Sequence, residues 1–259
     1  MTSPITAETQ FDAVAAIISD AQRILFITGA GISADSGLPT YRGIGGLYHE
    51  RLTGEGLTIE EALSGEMMAK RPDIAWRYLA EIESNCRGAL PNAAHRLIAE
   101  LEREKPGVWV LTQNVDGLHR MAGSQKVIQI HGTVHHLRCT ECPHQRSVLD
   151  FAGLSIPPAC PVCGGVLRPD VVLFGEMLPQ KGIDRLAHVL ETGVDLVISI
   201  GTTSVFPYIA GPVWWAQQNG IPTVEINPGE TEVSGVVDHR LRVGAAEAMT
   251  RLWERLHPA

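Results

Sequence analysis

Several features are missing from this chain of 259 residues. No uninterrupted apolar run reaches the roughly 20 residues that span a bilayer. The opening MTSPITAETQFDAV has no basic start and no apolar core of signal-peptide length. A cytoplasmic protein with no membrane partner is therefore expected. Basic residues are not in excess: 21 Lys and Arg stand against 29 Asp and Glu, a formal charge of −8. That balance argues against a general nucleic-acid binder, so no nucleic-acid partner is expected. It is compatible with lysine-bearing polypeptide partners, and equally with solubility alone. Cysteine is scarce, with five residues falling as two close pairs and a lone Cys86. In a reducing compartment such pairs favour a metal over disulfides. No repeat, low-complexity tract or flexible linker interrupts the chain.

What is present centres on residues 24–46. Ile24–Thr28 is apolar or β-branched, as suits a strand buried on both faces of a parallel sheet. It breaks into Gly29-Ala30-Gly31, and Ala34 completes a G-x-G-x-x-G/A pattern. Gly29 allows a tight turn, Gly31 lets backbone approach a pyrophosphate, and a new helix aims its N-terminal N–H groups at the anion. The competing reading is a glycine-rich turn that binds nothing. A dinucleotide fold has a second strand soon afterwards, ending in an acidic residue about 20 residues past the glycines. None follows Leu38-Pro39. Residues 40–46 read instead as an extended loop, with Arg42 placed to meet phosphate or ribose. This pattern points to a nucleotide fold carrying an insertion.

Around this stretch the chain alternates helix and strand. Phe11, Val14, Ala15 and Ile18 mark one helical face. Residues 47–88 read as a helical insertion, with a capping box at Thr58 to Glu61 and a helix opened by Pro72. Pro91 is expected to open another helix, running to about residue 104. Strands are expected at 108–112, 127–130, 171–174, 196–200, 223–226 and 241–243. Helices are expected at 184–190, 207–219 and 245–256.

The cysteines carry the most specific local signal. Cys139-x2-Cys142, seventeen residues, then Cys160-x2-Cys163 supplies four thiolates in two knuckle turns, which suits tetrahedral Zn²⁺. Four protein ligands leave no open position, so the metal would be structural. The competing readings are an iron–sulfur cluster, four unrelated thiols, or His144 replacing one ligand. His131, at the end of a short strand, is the candidate base, because imidazole titrates near neutrality. The alternative is a hydrogen-bonded structural histidine. Gln113, Asn114 and Asp116 end another strand, where α/β sheets bind ligands. Asn114 and Asp116 can orient a carboxamide, a ribose or water, or can simply form Asx turns. Gly201, Thr202, Thr203 and Asn227 also sit at strand ends, to contact phosphate or ribose or to cap helices. His95, His119, His135 and His136 are read as structural or surface residues.

Taken together, GAGISADSGLPTYRG, TQNVDGLH, the IHG containing His131, the two cysteine pairs, LRPDVVLFGE, GTTSVFP and VEIN resemble the sirtuins, the NAD-dependent protein lysine deacylases. The motifs occur in the family's order and span most of the chain. The resemblance implies an α/β fold: a Rossmann-like parallel sheet with helices on both faces, plus a small domain made of a four-cysteine zinc module and a helical insertion. The implied division is 1–46, 89–134 and 171–259 for the NAD-binding domain, 47–88 for the helical module and 135–170 for the zinc module. The implied cofactors are NAD, as co-substrate, and one structural Zn²⁺. The implied partners are acylated-lysine proteins or peptides. Gly29, Ala30, Gly31, Ser33, Gly37, Tyr41 and Arg42 match the cofactor loop. Gln113, Asn114 and Asp116 match the ribose and nicotinamide pocket. Gly201, Thr202, Thr203, Asn227 and Ala246 match the remaining cofactor contacts, and Cys139, Cys142, Cys160 and Cys163 the metal ligands. His131 matches the catalytic base, acting with Asn114 and Asp116. Val172, Phe174, Gly175 and Glu176 match the segment along which substrate peptide adds as a strand.

The mechanism implied begins with the amide oxygen of the acyl-lysine attacking the nicotinamide ribose and expelling nicotinamide. His131 then deprotonates a ribose hydroxyl, and lysine and 2′-O-acyl-ADP-ribose are released. Three departures from the family pattern stand out. Tyr41 replaces the usual Phe, and Thr203 the usual Ser. Where members that remove acidic acyl groups carry a Tyr and an Arg, counting back from Pro91 reaches Leu79 and Ile82. A neutral acyl pocket is therefore expected, with desuccinylation or demalonylation kept as the alternative because Arg77 and Tyr78 lie close by. ADP-ribosyl transfer, NAD hydrolysis and a non-catalytic NAD-binding module are the other competing functions.

Overall fold

The structure, a computed structural model, describes residues 7–40 and 52–258. Tyr41 and Arg42 lie outside the described residues. The strands are β1 Ile24–Thr28, β2 Trp109–Thr112, β3 Val127–Gln129, β4 Gly132–Cys139, β5 Gln145–Ser147, β6 Leu167–Val171, β7 Leu196–Ile200, β8 Thr223–Ile226 and β9 His239–Leu241. Six form one sheet in the order β3-β2-β1-β7-β8-β9, all neighbours parallel. The order reverses between β1 and β7, so the crevice outside their carboxyl ends is the topological switch point.

The buried strands divide their side chains between two layers, as a two-residue period requires. Ile24 and Phe26 of β1 face a core shared with helices Ala7–Asp20, Ala93–Glu104 and Ala245–Leu256. Leu25 and Ile27 face the opposite core, shared with Gln180–Thr192 and Pro207–Gln218. Every residue of β1 and of β7 is buried, which explains why both read as unbroken apolar runs.

A separate antiparallel sheet, β5-β4-β6, packs with helices Ile59–Ala62, Gly65–Lys70 and Pro72–Cys86 around a third core. Trp76 is fully buried there, and its Nε1 donates to the Leu167 carbonyl at 2.8 Å. One side chain therefore ties the 72–86 helix to β6. The Thr58–Glu61 capping box is formed in both directions.

Several sequence expectations shift. The glycine turn enters a 3-10 helix, Ala30–Ser36, rather than an α-helix, and Gly37 ends it in the left-handed region. Pro91 does not open its helix: Asn92 is the N-cap, its Oδ1 accepting from the Ala94 N–H at 2.9 Å. The strand expected at 171–174 is instead β6, ending at Val171. It stops because the Leu173 N–H is taken by Glu176 Oε2 and Gly175 turns the chain at φ +79°. Phe174 makes an isolated parallel bridge to Ser64. The last strand lies at His239–Leu241 rather than 241–243, and β4 and β5 were not anticipated.

Candidate active site and metal centre

The four cysteine Sγ atoms all lie within 4.8 Å of one another, the one such cluster of His, Cys, Asp or Glu among the described residues. Cys139 ends β4, and the Glu141 N–H reaches back to its sulfur at 3.4 Å, as in a knuckle turn. Cys160 and Gly165 close the second turn through backbone bonds. Four soft donors converging on a common centre fit Zn²⁺ with no position left for water. His144 is not part of the cluster.

At the switch point two loops touch backbone to backbone. The Gly31 N–H donates to the Gly201 carbonyl at 2.8 Å. A Cβ on Gly31 would stand 2.7 Å from Gly201 Cα, and one on Gly201 would stand 2.3 Å from the Ile32 nitrogen. Glycine is thus required on both sides, and the loops form a main-chain cradle of the kind that admits a pyrophosphate.

Beside the cradle lies a connected polar cluster. Asn114 Nδ2 donates to the Gly29 carbonyl at 3.1 Å and to Ser33 Oγ at 3.2 Å. Ser33 Oγ donates to Asp116 Oδ2 at 2.8 Å, and Asp116 Oδ1 caps the Leu118 N–H at 2.9 Å. All three side chains are buried. Burial pushes the Asp116 carboxyl above its ordinary range, against the pull of the Leu118 and Ser33 donors. Gln113 Nε2 donates to Thr202 Oγ1 at 2.8 Å, and Asn227 Nδ2 to the Thr202 carbonyl at 3.1 Å. The ends of β1, β2, β7 and β8 therefore meet around one crevice. Thr203 stands next to Thr202, its carbonyl accepting from the Glu232 N–H. Ala30 opens the 3-10 helix. Ala246 is drawn in from the far end of the chain: its N–H donates to Asp35 Oδ2 at 3.0 Å.

His131 stands two residues past the end of β3 and is partly buried. Its Nδ1 lies 3.1 Å from the Gln113 carbonyl and its Nε2 lies 2.7 Å from the Tyr208 hydroxyl. Burial lowers its pKa, and the bond to the Gln113 carbonyl opposes that shift. A neutral imidazole is thus favoured, as a base requires. The segment after β6 passes alongside: the Val172 N–H donates to the His131 carbonyl at 2.9 Å. Phe174 is bonded on both sides of its peptide to Leu63 and Gly65. Glu176 holds Arg168 in a two-pronged ion pair, Oε1–Nη1 at 2.5 Å and Oε2–Nη2 at 2.9 Å.

Leu79 and Ile82 are buried in the third core with Trp76. Arg77 and Tyr78 both bond Glu55. Tyr208, Asn92, Arg168 and Glu55 are not among the candidate site residues that the sequence singles out. Asn92 pins the 3-10 helix by donating to the Ile32 carbonyl at 2.7 Å, and its N-cap position before an apolar period was the available signal.

Residues 29–207 match the Sir2 family. An NAD-dependent protein deacylase 2 of Pseudomonas aeruginosa is 50% identical over 247 residues, covering 94% of this chain and 96% of that protein. Among solved structures, a Sir2 homolog–NAD complex superposes with a TM-score of 0.84 at 37% identity, covering 95% of this chain and 93% of the other. A Sir2–p53 peptide–NAD⁺ complex gives 0.81 at 28% identity, covering 93% and 96%.

Proposed function

The chain belongs to the Sir2 family, and we propose that its crevice removes acetyl or other neutral acyl groups from protein lysine side chains at the expense of NAD. The observation that carries the reading is the convergence of the Gly31–Gly201 cradle, the Ser33–Asn114–Asp116 cluster and His131 on one switch point. Relatives of up to about half identity bear the deacylase name. NAD, when bound, supplies the ribosyl carbon from which nicotinamide departs and the hydroxyl that carries the acyl group away.

The protein's own residues divide the remaining work. Gly29, Ala30, Gly31 and Gly201 present main chain to the pyrophosphate. Ser33, Gly37, Gln113, Thr202, Thr203, Asn227 and Ala246 line the rest of the cofactor path, and Tyr41 and Arg42 belong to it by family pattern. Asn114 and Asp116 hold the nicotinamide end through groups already fixed by Ser33. His131 takes a ribose proton at Nε2. Val172, Phe174, Gly175 and Glu176 offer the edge for the peptide. The Val172 N–H is engaged by His131 and both Phe174 backbone groups by Leu63 and Gly65, so these two residues meet the peptide through their side chains. Residues 47–88 and 135–170 act as the small unit that closes over the crevice, with Cys139, Cys142, Cys160 and Cys163 holding a structural Zn²⁺. That closed thiolate set has no open position, so it stabilises fold and takes no part in proton transfer.

A neutral acyl pocket is supported by the pairing of the one cation that neighbours Leu79 and Ile82 in sequence. Arg77 and Tyr78 are both tied to Glu55, and Leu79 and Ile82 bring only hydrocarbon. A succinyl carboxylate would find Arg77 already neutralised. The test is a matched panel of acetyl-, butyryl- and succinyl-lysine peptides with NAD, followed by mass spectrometry. Nicotinamide with 2′-O-acyl-ADP-ribose from the neutral peptides is expected. ADP-ribose on protein, or preference for succinyl, would overturn the assignment.

A further inference from the structure

His131 is engaged at both ring nitrogens. The Gln113 carbonyl oxygen can only accept, so Nδ1 carries the proton and Nε2 is the lone-pair nitrogen in the neutral ring. The Tyr208 hydroxyl, 2.7 Å away, therefore donates to Nε2. Tyr208 is firmly placed. It stands in the first turn of helix Pro207–Gln218, one residue after the proline that starts it. Its ring stacks on Phe206 at 5.3 Å and 13°, and meets the imidazole edge-on at 5.8 Å. Phe206 meets the same imidazole edge-on at 6.2 Å.

This arrangement occupies the very nitrogen that must take the proton. A phenol hydroxyl both donates and accepts. Resting on the deacylase reading, the geometry points to Tyr208 as a positioning residue that holds His131 Nε2 toward the crevice before NAD binds, yields that nitrogen to the ribose hydroxyl, and then accepts from Nε2–H. In the transfer the ribose O–H bond breaks and an N–H bond forms at Nε2. The imidazole becomes imidazolium, and the Tyr208 oxygen turns from donor to acceptor without moving its ring. Release of nicotinamide comes earlier and needs no base. Tyr208 should therefore matter to the second half of the reaction and not to the first.

The variant Tyr208→Phe keeps the ring and the stack and removes only the hydroxyl. In the ligand-free protein, ¹⁵N resonances of His131 should still report the Nδ1–H tautomer, with Nε2 moved from its hydrogen-bonded position. With NAD and an acetyl-lysine peptide, incorporation of labelled nicotinamide into NAD should persist. Formation of 2′-O-acetyl-ADP-ribose should fall about tenfold, the size of one hydrogen bond to a charged group. An unmoved Nε2 resonance, or exchange and product formation falling together, overturns the positioning role. Absence of both activities from the unsubstituted protein overturns the deacylase reading, and this inference with it.

Discussion

Two histidines buried side by side should make the fold acid-sensitive in a calculable way. His95 and His119 are 0% and 2% exposed, with ring centroids 4.9 Å apart. Neither nitrogen of His95 and not Nδ1 of His119 finds a partner among the described residues. His119 Nε2 lies 3.0 Å from Thr28 Oγ1, which donates to Thr112 Oγ1. Burial, with Arg96 nearby, lowers the His95 pKa from 6.5 to about 4. His119 is lowered well below its ordinary value by burial and by His95. The sign follows from linkage: the unfolded chain binds the proton more readily, so the contribution is complete above pH 6.5 and is lost as pH falls from there toward 4. For His95 alone the loss is about 2 kcal/mol by about pH 5. Substituting His95→Phe removes two unpartnered nitrogens and keeps a ring against His119. At about pH 7.5 its stability should stay within about 1.5 kcal/mol of the parent. Urea unfolding of both proteins at about pH 7.5 and about pH 5 measures the difference. The parent should lose about 2 kcal/mol more than the variant between the two. An equal loss would refute the reasoning.

Other outcomes are expected on the same footing. Gly31→Ala sets a methyl 2.7 Å from Gly201 Cα, where only main chain can yield, so NAD affinity by calorimetry should fall at least about tenfold, roughly 1.4 kcal/mol. Metal analysis should find one zinc per chain, and Cys160→Ser should lose it together with the cooperative melting of the small unit. Trp76→Phe strands the buried Leu167 carbonyl, at a cost of about 1–3 kcal/mol in chemical denaturation. Arg168→Gln breaks the pair with Glu176 and the bond to the Val171 carbonyl. About 3 kcal/mol of stability should go, and KM for the peptide should rise more than kcat falls.

Much of this molecule was legible because its signals are local. Ile24–Thr28 and Leu196–Ile200 are continuous apolar runs, and burial on both faces leaves no other pattern open to them. The cysteine spacing needs only two knuckles to meet. What escaped was set by distant partners. β4 carries two histidines and an arginine, and only its pairing with β6, about 30 residues on, makes it a strand. Residues 172–174 look like a strand, yet Glu176 removes a ladder donor. Nothing in PYIAGPVWW reveals that Tyr208 meets a histidine 77 positions earlier. Glu55 neutralises Arg77 through a loop contact that no periodicity encodes.

His131 has one more property, which comes from its place in the backbone. The residue after it, Gly132, opens β4, so the chain passes from the large sheet into the small one at this point. Gly132 has φ +79°, and a Cβ there would stand 1.9 Å from the Asp170 carbonyl oxygen. The returning chain grips the same spot, through the Val172 N–H on the His131 carbonyl. A single residue thus carries both the covalent and the hydrogen-bonded join between the two sheets, the larger bearing the Gly31–Gly201 cradle and the smaller the cysteines.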